Sequence, residues 1–220
     1  MKESNLKQAI ASPVAAGGVY RARLVVMVKQ PTGGRVKTRL ARQAGLARAV
    51  GFYRHVTAAM LARVGRDPRW QTLLAVAPDP ALRSPAWPPR LTRVAQGRGD
   101  LGARMQRVFD RMPPGPVAIV GSDIPGITAA RIARAFRLLG SNDAVFGPAT
   151  DGGYWLVGLR RRPRIPSVFR AVRWSTEHAL ADTRANLVRL HVADADLLDD
   201  VDELADLVST GIGGGRRVRR

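Results

Sequence analysis

Short apolar runs and longer amphipathic stretches follow one another along the chain, and this alternation predicts strands and helices in turn. The first run, Leu24–Val28, is apolar throughout and predicts a buried strand. The stretch from Ala41 to Val64 carries an apolar stripe at helical spacing and predicts one long helix. The same patterns predict further strands at 71–77, 91–95, 117–121, 144–146, 154–159 and 189–193, and further helices at 101–112, 128–139, 176–188 and 201–208.

Because strands and helices alternate and most strands are apolar runs, we predict an α/β fold with a mostly parallel sheet covered on both faces. We assign one domain to residues 23–209, and we expect residues 1–22 to be a disordered extension and residues 210–220 to be a disordered Gly/Arg-rich tail. Ligands of such folds bind beyond the carboxyl ends of the strands. Four chemically distinctive segments follow predicted strands there, at 29–40, 97–102, 121–125 and 147–154.

The first of these segments, Lys29–Leu40, joins a strand to a helix through Pro, Gly and cationic residues, and we call it the basic loop. Its backbone N–H groups, the start of the helix and its mobile positive charges suit a phosphate or pyrophosphate. Only four of the 36 Lys and Arg residues are Lys, and two of these, Lys29 and Lys37, lie in this loop. A solvated basic loop without a ligand is the alternative interpretation.

Carboxylates follow two of the predicted strands. Asp123 comes directly after an apolar strand, where it could hold a hard cation such as Mg²⁺ that bridges to phosphate oxygens, or could form a turn or cap a helix. Asp151 precedes two glycines that let the backbone approach a ligand, although Asp-Gly between strands also predicts a hairpin turn. Tyr154 could stack on a sugar or base, or could simply pack. Asp202 is a further candidate for approaching the metal.

Two other classes of protein share some of these sequence features. Gly97–Gly102 matches G-x-G-x-x-G and suggests a dinucleotide-dependent oxidoreductase, but Asp100 inside the motif would repel a pyrophosphate. The net charge of +19 suggests a nucleic-acid-binding protein. However, part of that charge lies in the C-terminal tail, and an aromatic content of 5% leaves few side chains for base stacking. We therefore do not expect nucleic acid to be the physiological partner.

Several kinds of site are disfavoured by composition and spacing. The chain has no cysteine, which excludes disulfides, thiolate metal sites and a Cys nucleophile. The three histidines, at positions 55, 178 and 191, do not cluster, and the spacing of a Walker A loop is absent. No apolar stretch approaches the roughly 20 residues of a spanning helix, and residues 1–20 lack the compact apolar run of a secretory signal. We therefore expect a cytoplasmic protein.

Taken together, these segments resemble the DUF2064 family, which is also described as a group of glycosyltransferase-like proteins associated with radical-SAM and arsenosugar gene clusters. A more distant similarity connects them to phospholactate and molybdenum-cofactor guanylyltransferases. The resemblance runs from residue 24 to residue 207. Its motifs are Lys29-x-Pro31-x-x-Gly34-x-Val36-Lys37-Thr38-Arg39-Leu40, Gln96-Gly97-x-Gly99-Asp100-Leu101-Gly102-x-Arg104-Met105, Gly121-Ser122-Asp123-x-Pro125-Gly126, Gly147-Pro148-Ala149-x-Asp151-Gly152-Gly153-Tyr154-x-Leu156-x-Gly158, Trp174-Ser175-Thr176 and Asp200-Val201-Asp202.

The resemblance implies a GT-A fold, which is a three-layer α/β/α sandwich that binds a nucleoside diphosphate and holds a metal at a strand end. It implies that the basic loop holds the diphosphate and that the segment after the third strand lines the nucleoside. It also implies Mg²⁺ or Mn²⁺ as the cofactor, with Asp123 and Asp151 as metal ligands. The residues that it assigns to donor binding are Lys29, Gly34, Lys37, Thr38, Arg39, Gly99, Asp100, Leu101, Gly152, Gly153 and Tyr154.

We therefore predict a metal-dependent transferase that uses a nucleotide-activated donor, with Lys37, Asp123 and Asp151 as catalytic residues. The family description favours a glycosyltransferase that moves a sugar from a nucleoside-diphosphate sugar to a small-molecule acceptor. The alternative is a nucleotidyltransferase that uses a nucleoside triphosphate and a phosphorylated small molecule, because both reactions require a clamp for developing phosphate charge. Asp151 and Glu177 are the candidates for the general base.

Overall fold

The computed structural model describes residues 20–34, 36, 38–161 and 166–198, and the strands in this part of the chain form one sheet. The strands are β1 (Ala22–Lys29), β2 (Trp70–Ala77), β3 (Thr92–Ala95), β4 (Gly115–Gly121), β5 (Ala144–Pro148), β6 (Tyr154–Arg161) and β7 (Val192–Asp194). The helices are α1 (Thr38–Ala44), α2 (Leu46–Val64), α3 (Leu101–Arg111), α4 (Ala129–Ser141) and α5 (Ala179–Ala185), and a short 3₁₀ helix covers Asp79–Arg83.

The sheet is mixed, with the strand order β3-β2-β1-β4-β6-β5-β7. Strand β6 runs antiparallel to β4 and β5, whereas the other neighbouring strands are parallel. The carboxyl ends of the parallel strands and the amino end of β6 therefore lie at one edge of the sheet, which we call the carboxyl edge. The predicted α/β fold with a mostly parallel sheet is confirmed.

Helices cover both faces of this sheet. On one face, α2 and α4 bury Met60, Leu61 and Leu139 against β1 and β4. On the other face, α3 buries Met105 and Phe109, and residues of α5 pack against the same core. Because the central strands are covered on both sides, their residues are apolar at nearly every position. None of the helices in the described part of the chain is both long and apolar enough to cross a bilayer.

The helix predicted from Ala41 to Val64 is interrupted at Gly45. Gly45 has a φ of +87° and a ψ of 155°, a conformation that a β-carbon disfavours, and the chain changes direction there between α1 and α2. Leu40, Phe52 and Val56 then pack the two helices together in a small apolar cluster. The prediction of one continuous helix was wrong because the apolar spacing continues across a glycine turn that tertiary packing stabilises.

The region before β7 contains less helix than the sequence pattern predicts. Within 176–188 only Ala179–Ala185 is α-helical. Ser175, which precedes this segment, has a φ of +61°, and a regular α-helix cannot include that conformation. The strand predicted at 189–193 overlaps β7, which begins at Val192 and ends at Asp194. The predicted helix at 201–208 and the predicted tail at 210–220 lie outside the described residues, as do residues 1–19 of the predicted extension.

Thr128 caps α4, as the sequence predicts, because its hydroxyl accepts a hydrogen bond from the Arg131 N–H at 3.3 Å. We predict that Thr128→Ala lowers the free energy of unfolding by about 1 kcal/mol, since that N–H loses its partner. Urea denaturation followed by circular dichroism measures the change. The control is Ser141→Ala at the other end of α4, where an exposed hydroxyl donates a 3.5 Å bond to the Leu138 carbonyl. Equal losses in the two variants would contradict the capping role.

Candidate active site at the carboxyl edge

The register of the strands brings three predicted segments together at the carboxyl edge. Met27 of β1 pairs with Gly121 of β4, and Val120 of β4 pairs with Leu156 of β6. Neighbouring strands lie about 4.8 Å apart, so the residues after Gly121 lie between the end of β1 and the hairpin that precedes β6. The basic loop, the 121–125 segment and the 147–154 segment therefore lie next to one another at the carboxyl edge.

A buried tyrosine hydroxyl connects β1 to β4 at this edge. The Lys29 backbone N–H donates to Tyr53 Oη at 2.8 Å, and Tyr53 Oη shares a hydrogen bond of 2.9 Å with Ser122 Oγ. Thr57, one turn later on α2, donates to the Ser122 carbonyl at 3.4 Å. Burial raises the pKa of Tyr53 above 10.0, and the charge of Asp123 acts in the same direction. Helix α2 thereby fixes the start of the basic loop relative to Asp123.

A cavity of about 320 Å³, which we call the edge cavity, opens at the carboxyl edge on the α3 side of the sheet. Its lining includes Leu101 at the start of α3, Gly121 at the end of β4, and Asp151, Gly153 and Tyr154 of the β5–β6 hairpin. Three of the four segments predicted from the sequence therefore share one cavity. The fourth, the basic loop, begins at the same edge through the strand pairing described above.

Asp123 lies beside the edge cavity and is half-buried. A β-carbon placed on Gly121, which lines the cavity, would be 3.3 Å from Asp123 Oδ1, so the carboxylate lies against the end of β4. Asp123 does not cap the next helix, because Thr128 has that role. Its role as a metal ligand stays a prediction.

Asp151 is exposed in the turn of the β5–β6 hairpin. Its Oδ1 accepts a hydrogen bond from the Gly153 N–H at 2.9 Å, and the Ala149 N–H donates to the Gly153 carbonyl at 3.0 Å. Gly152 has a φ of +80°, and a β-carbon there would overlap the backbone of Glu177. The hairpin interpretation is therefore confirmed, and the same turn brings Asp151 to the edge cavity.

Tyr154, next to the hairpin turn, belongs to a group of packed aromatic rings. The ring of Tyr154 packs edge-on against Phe146 at 5.3 Å and against Trp174 at 6.4 Å between ring centroids. Tyr154 Oη lies 3.4 Å from Thr183 Oγ1, and burial raises the pKa of Tyr154 above its ordinary value. A β-carbon on Gly102 would be 2.7 Å from the Trp174 ring, so α3 packs directly on this ring. The packing interpretation of Tyr154 is confirmed, and stacking on a ligand stays a prediction.

The glycine-rich segment Gly97–Gly102 has a local structural explanation. Asp100 caps α3, because its Oδ1 accepts a hydrogen bond from the Ala103 N–H at 2.7 Å. Gly99 has a φ of +108°, which favours glycine. Of the three residues predicted to line the nucleoside, Leu101 is the one that contributes to the edge cavity, whereas Asp100 acts as the helix cap.

The side chain of Gln96 forms hydrogen bonds to both β1 and β2 near the carboxyl edge. Its Nε2 donates to the Val28 carbonyl at 3.0 Å and to the Ala75 carbonyl at 2.8 Å. Arg104 donates to Gln96 Oε1 at 3.3 Å and to the Asp100 carbonyl at 3.1 Å, so its guanidinium is held near the strand ends. The sequence analysis includes both residues in a family motif but assigns neither a function, although a polar Gln directly after a strand was a visible signal.

The basic loop leads from β1 into α1. Lys29 is exposed at the end of β1, and Gly34 is exposed with a φ of +74°. Thr38 and Arg39 begin α1. Lys29 does not line the edge cavity, and Lys37 lies outside the described residues, so their contacts with a diphosphate stay predictions.

The carboxylates near the edge cavity fit a hard divalent cation. Within the described ranges, no group of three or more His, Asp and Glu residues is placed to hold a metal by itself. Mg²⁺ requires fewer protein ligands, because it keeps several waters and is commonly bound by one or two carboxylates and the substrate phosphates. Asp123 and Asp151 can supply such oxygens, and Asp202 lies outside the described residues.

The chain belongs to a bacterial protein family. Residues 60–176, which are more than half of the 220 residues, match the family described as "Uncharacterized protein conserved in bacteria (DUF2064)". No curated protein matches the chain. The family resemblance inferred from the motifs is therefore confirmed at the level of DUF2064.

Solved structures share the fold. A "putative nucleotide-diphospho-sugar transferase" from Desulfovibrio desulfuricans G20 is 33% identical, with 84% of each chain covered and a TM-score of 0.76. Rv0371c from Mycobacterium tuberculosis H37Rv is 18% identical, covering 87% of this chain and 97% of its own, with a TM-score of 0.50. The 4-diphosphocytidyl-2C-methyl-D-erythritol synthase from Anaerococcus prevotii DSM 20548 is 8% identical at the same coverages, with a TM-score of 0.53. The predicted fold of nucleotide-diphospho-sugar transferases and nucleotidyltransferases is confirmed.

Removal of the Tyr53 hydroxyl tests its role at the carboxyl edge. We predict that Tyr53→Phe lowers the free energy of unfolding by about 2 kcal/mol, because the partly buried Lys29 N–H and the buried Ser122 hydroxyl lose their shared partner. Tyr154→Phe is the control, since it removes a hydroxyl with one long contact of 3.4 Å. Urea denaturation measures both variants, and a Tyr53→Phe protein as stable as the unmodified chain would contradict the role.

The raised pKa values of Tyr53 and Tyr154 predict lower stability at alkaline pH. The unfolded chain releases these protons near pH 10, before the folded protein does, so the free energy of unfolding should fall from about pH 9 to about pH 11. We predict that this fall is smaller in the Tyr53→Phe, Tyr154→Phe double variant, which lacks both buried hydroxyls. Equal slopes in the double variant and the unmodified chain would show that the buried tyrosines do not control the fall in stability.

Proposed function

We propose that this DUF2064-family protein is a divalent-metal-dependent transferase that binds a nucleotide-activated donor at the edge cavity. The group transferred is a sugar, which passes from a nucleoside-diphosphate sugar to a hydroxyl of a small-molecule acceptor. The observation that carries the proposal is the convergence of Asp151, the Asp123 segment and the start of the basic loop at the carboxyl edge. Sheets of this class bind their ligands at that edge.

The relatives favour sugar transfer over other uses of the fold. The Desulfovibrio desulfuricans protein, at 33% identity over most of both chains, carries a name that specifies a nucleotide-diphospho-sugar donor. The similarity to the Anaerococcus prevotii enzyme, at 8% identity, supports the fold alone.

The lining of the edge cavity suits a sugar or a small acceptor. Its volume of about 320 Å³ is at the lower end of the range for small-molecule sites. Met27, Leu101 and Trp174 give it an apolar and aromatic surface, and Ser175 and Thr176 add hydroxyl groups. A mostly apolar lining with a few polar groups that fix orientation is usual for small-molecule sites.

The residues at the carboxyl edge have complementary roles in this reaction. Lys29 and Lys37 of the basic loop offset the charge that grows on the departing diphosphate. A bound Mg²⁺ or Mn²⁺, held by Asp123 and Asp151, would supply Lewis-acid stabilisation of that leaving group. Asp151 or Glu177 accepts the proton of the attacking hydroxyl, and both lie where the hairpin meets the segment before α5.

Nucleoside-diphosphate sugars and free nucleoside diphosphates provide the first test of this function. We predict that at least one of them raises the melting temperature in the presence of Mg²⁺ or Mn²⁺ and has little effect when the metal is chelated. A donor found in this way is then incubated with candidate acceptors. Release of nucleoside diphosphate identifies glycosyl transfer, whereas release of pyrophosphate from a triphosphate identifies the alternative nucleotidyl transfer.

Single carboxamide substitutions locate the binding site. We predict that Asp123→Asn and Asp151→Asn each weaken metal-dependent nucleotide binding at least tenfold, which is about 1.4 kcal/mol, and leave the fold intact. The control is Asp110→Asn, which removes an exposed carboxylate in the last turn of α3, away from the carboxyl edge. No melting shift with any nucleotide and metal, or equal shifts in Asp123→Asn and Asp110→Asn, would refute the proposal.

A further inference from the structure

A second cavity lies beside the basic loop on the α2 side of the sheet. Its volume is about 680 Å³, roughly twice that of the edge cavity. We call it the proline-loop cavity, because Pro85 and Pro88 form one wall, while Ala58 and Leu61 of α2 form the other. The proposed transferase reaction makes no use of this space.

The wall formed by the proline loop is held in place by buried and partly buried hydrogen bonds. The guanidinium of Arg93 donates to the Leu82 carbonyl at 2.8 Å, to the Trp87 carbonyl at 3.1 Å and to the Pro88 carbonyl at 3.4 Å. Trp87 is 3% exposed, and its indole N–H donates to the Ala81 carbonyl at 2.9 Å. The cavity is therefore preformed, which reduces the ordering cost of binding a ligand.

Positive charge lines the rim of this cavity from both walls. Arg54 extends from α2, and Arg90 follows the proline loop; both are exposed. Arg54 makes a long hydrogen bond of 3.5 Å to the Pro31 carbonyl. Neither guanidinium forms an ion pair with a carboxylate of the described residues, and no Asp or Glu among them lines the cavity. Arg54 lies at the end of the cavity beside the basic loop, whereas the guanidinium of Arg90 lies near Gly65, just after the end of α2. An anion beside the basic loop would therefore meet Arg54 without competition from an acidic neighbour among the described lining residues.

We propose that the proline-loop cavity is a binding site for a small molecule with an apolar body and one anionic group, which is a carboxylate or a phosphate. The apolar body lies against Leu61, Pro85 and Trp87, and the anion lies at the end of the cavity beside the basic loop, where it meets Arg54. Hydrogen bonds to a charged partner are roughly twice as strong as neutral ones, so the anion adds affinity as well as orientation. The volume falls within the ordinary range for small-molecule sites.

The proline-loop cavity shares structural elements with the carboxyl edge. Tyr53 contributes to its lining, and the hydroxyl of the same side chain connects Lys29 to Ser122. Gln30 and Pro31 at the start of the basic loop also line it. A ligand would thus contact the helix and the loop that fix the carboxyl edge. Its binding does not depend on the proposed transferase activity, so either proposal can fail alone.

The tryptophan side chains allow one experiment to distinguish the two cavities. Of the four Trp residues, Trp87 lines the proline-loop cavity, Trp155 and Trp174 line the edge cavity, and Trp70 lines neither. A proton–nitrogen correlation spectrum records their indole N–H groups, and Trp87→Phe assigns the key resonance. The probes are phenylbutanoate and phenyl phosphate as apolar anions and phenylbutanamide as the neutral analogue. We expect a saturable shift of Trp87 with an anion, and binding of the amide that is at least roughly tenfold weaker.

Charge and volume variants test the same site independently. Arg54→Gln should weaken anion binding by roughly tenfold, because it removes the charged donor that meets the anion. Arg137→Gln is the control, since it removes the same charge from an exposed position on α4 that lines neither cavity. Ala58→Phe should block the cavity from an exposed helix position without disturbing the core.

The outcomes separate the proposal from its alternatives. A saturable Trp87 shift by either anion, lost in Ala58→Phe and retained in Arg137→Gln, supports the site and identifies the anion. No Trp87 shift by either anion overturns the proposal, as does equal binding of the neutral amide. Shifts of Trp155 and Trp174 with an unchanged Trp87 also overturn it, because the anion then occupies the edge cavity.

Discussion

The buried hydroxyl of Tyr53 is the interaction on which the carboxyl edge depends. It accepts a hydrogen bond from the backbone of Lys29 and shares another with Ser122, which is 69 positions away in the sequence. Burial keeps this hydroxyl protonated, so the link persists across the ordinary pH range. The two strands carry the basic loop and Asp123, and one side chain of α2 therefore fixes the distance between the predicted phosphate site and the predicted metal ligand.

Close backbone contacts shape the other side of the edge cavity. Gly152 fits against the backbone of Glu177, and Gly102 fits against the ring of Trp174; a β-carbon at either position would collide with its neighbour. These contacts hold the hairpin turn, the start of α3 and the segment before α5 together around one space. The glycines therefore define the cavity by allowing close approach of its walls, and Asp151 reaches the cavity because the turn that bears it is fixed there.

The sheet was predictable because burial on both faces requires apolar runs such as Leu24–Val28, which no solvated element would tolerate. The break at Gly45 was not, because the apolar spacing continues across it and only the packing of α1 on α2 makes the turn favourable. The acids after the strands were visible by their position. The role of Tyr53 was hidden, because a tyrosine in an apolar helical stripe gives no indication of hydrogen-bond partners far away in the sequence. The proline-loop cavity was hidden because the residues that line it come from three segments that are separated in the sequence.

A crystal structure with Mn²⁺ and a nucleoside diphosphate, with the metal located by its anomalous scattering, tests the central claim most directly. The account predicts an anomalous peak at the carboxyl edge, at a coordination distance of about 2.2 Å from a carboxylate oxygen of Asp123 or Asp151 and from a phosphate oxygen. A nucleotide bound elsewhere on the molecule, with neither carboxylate near the metal, would contradict it.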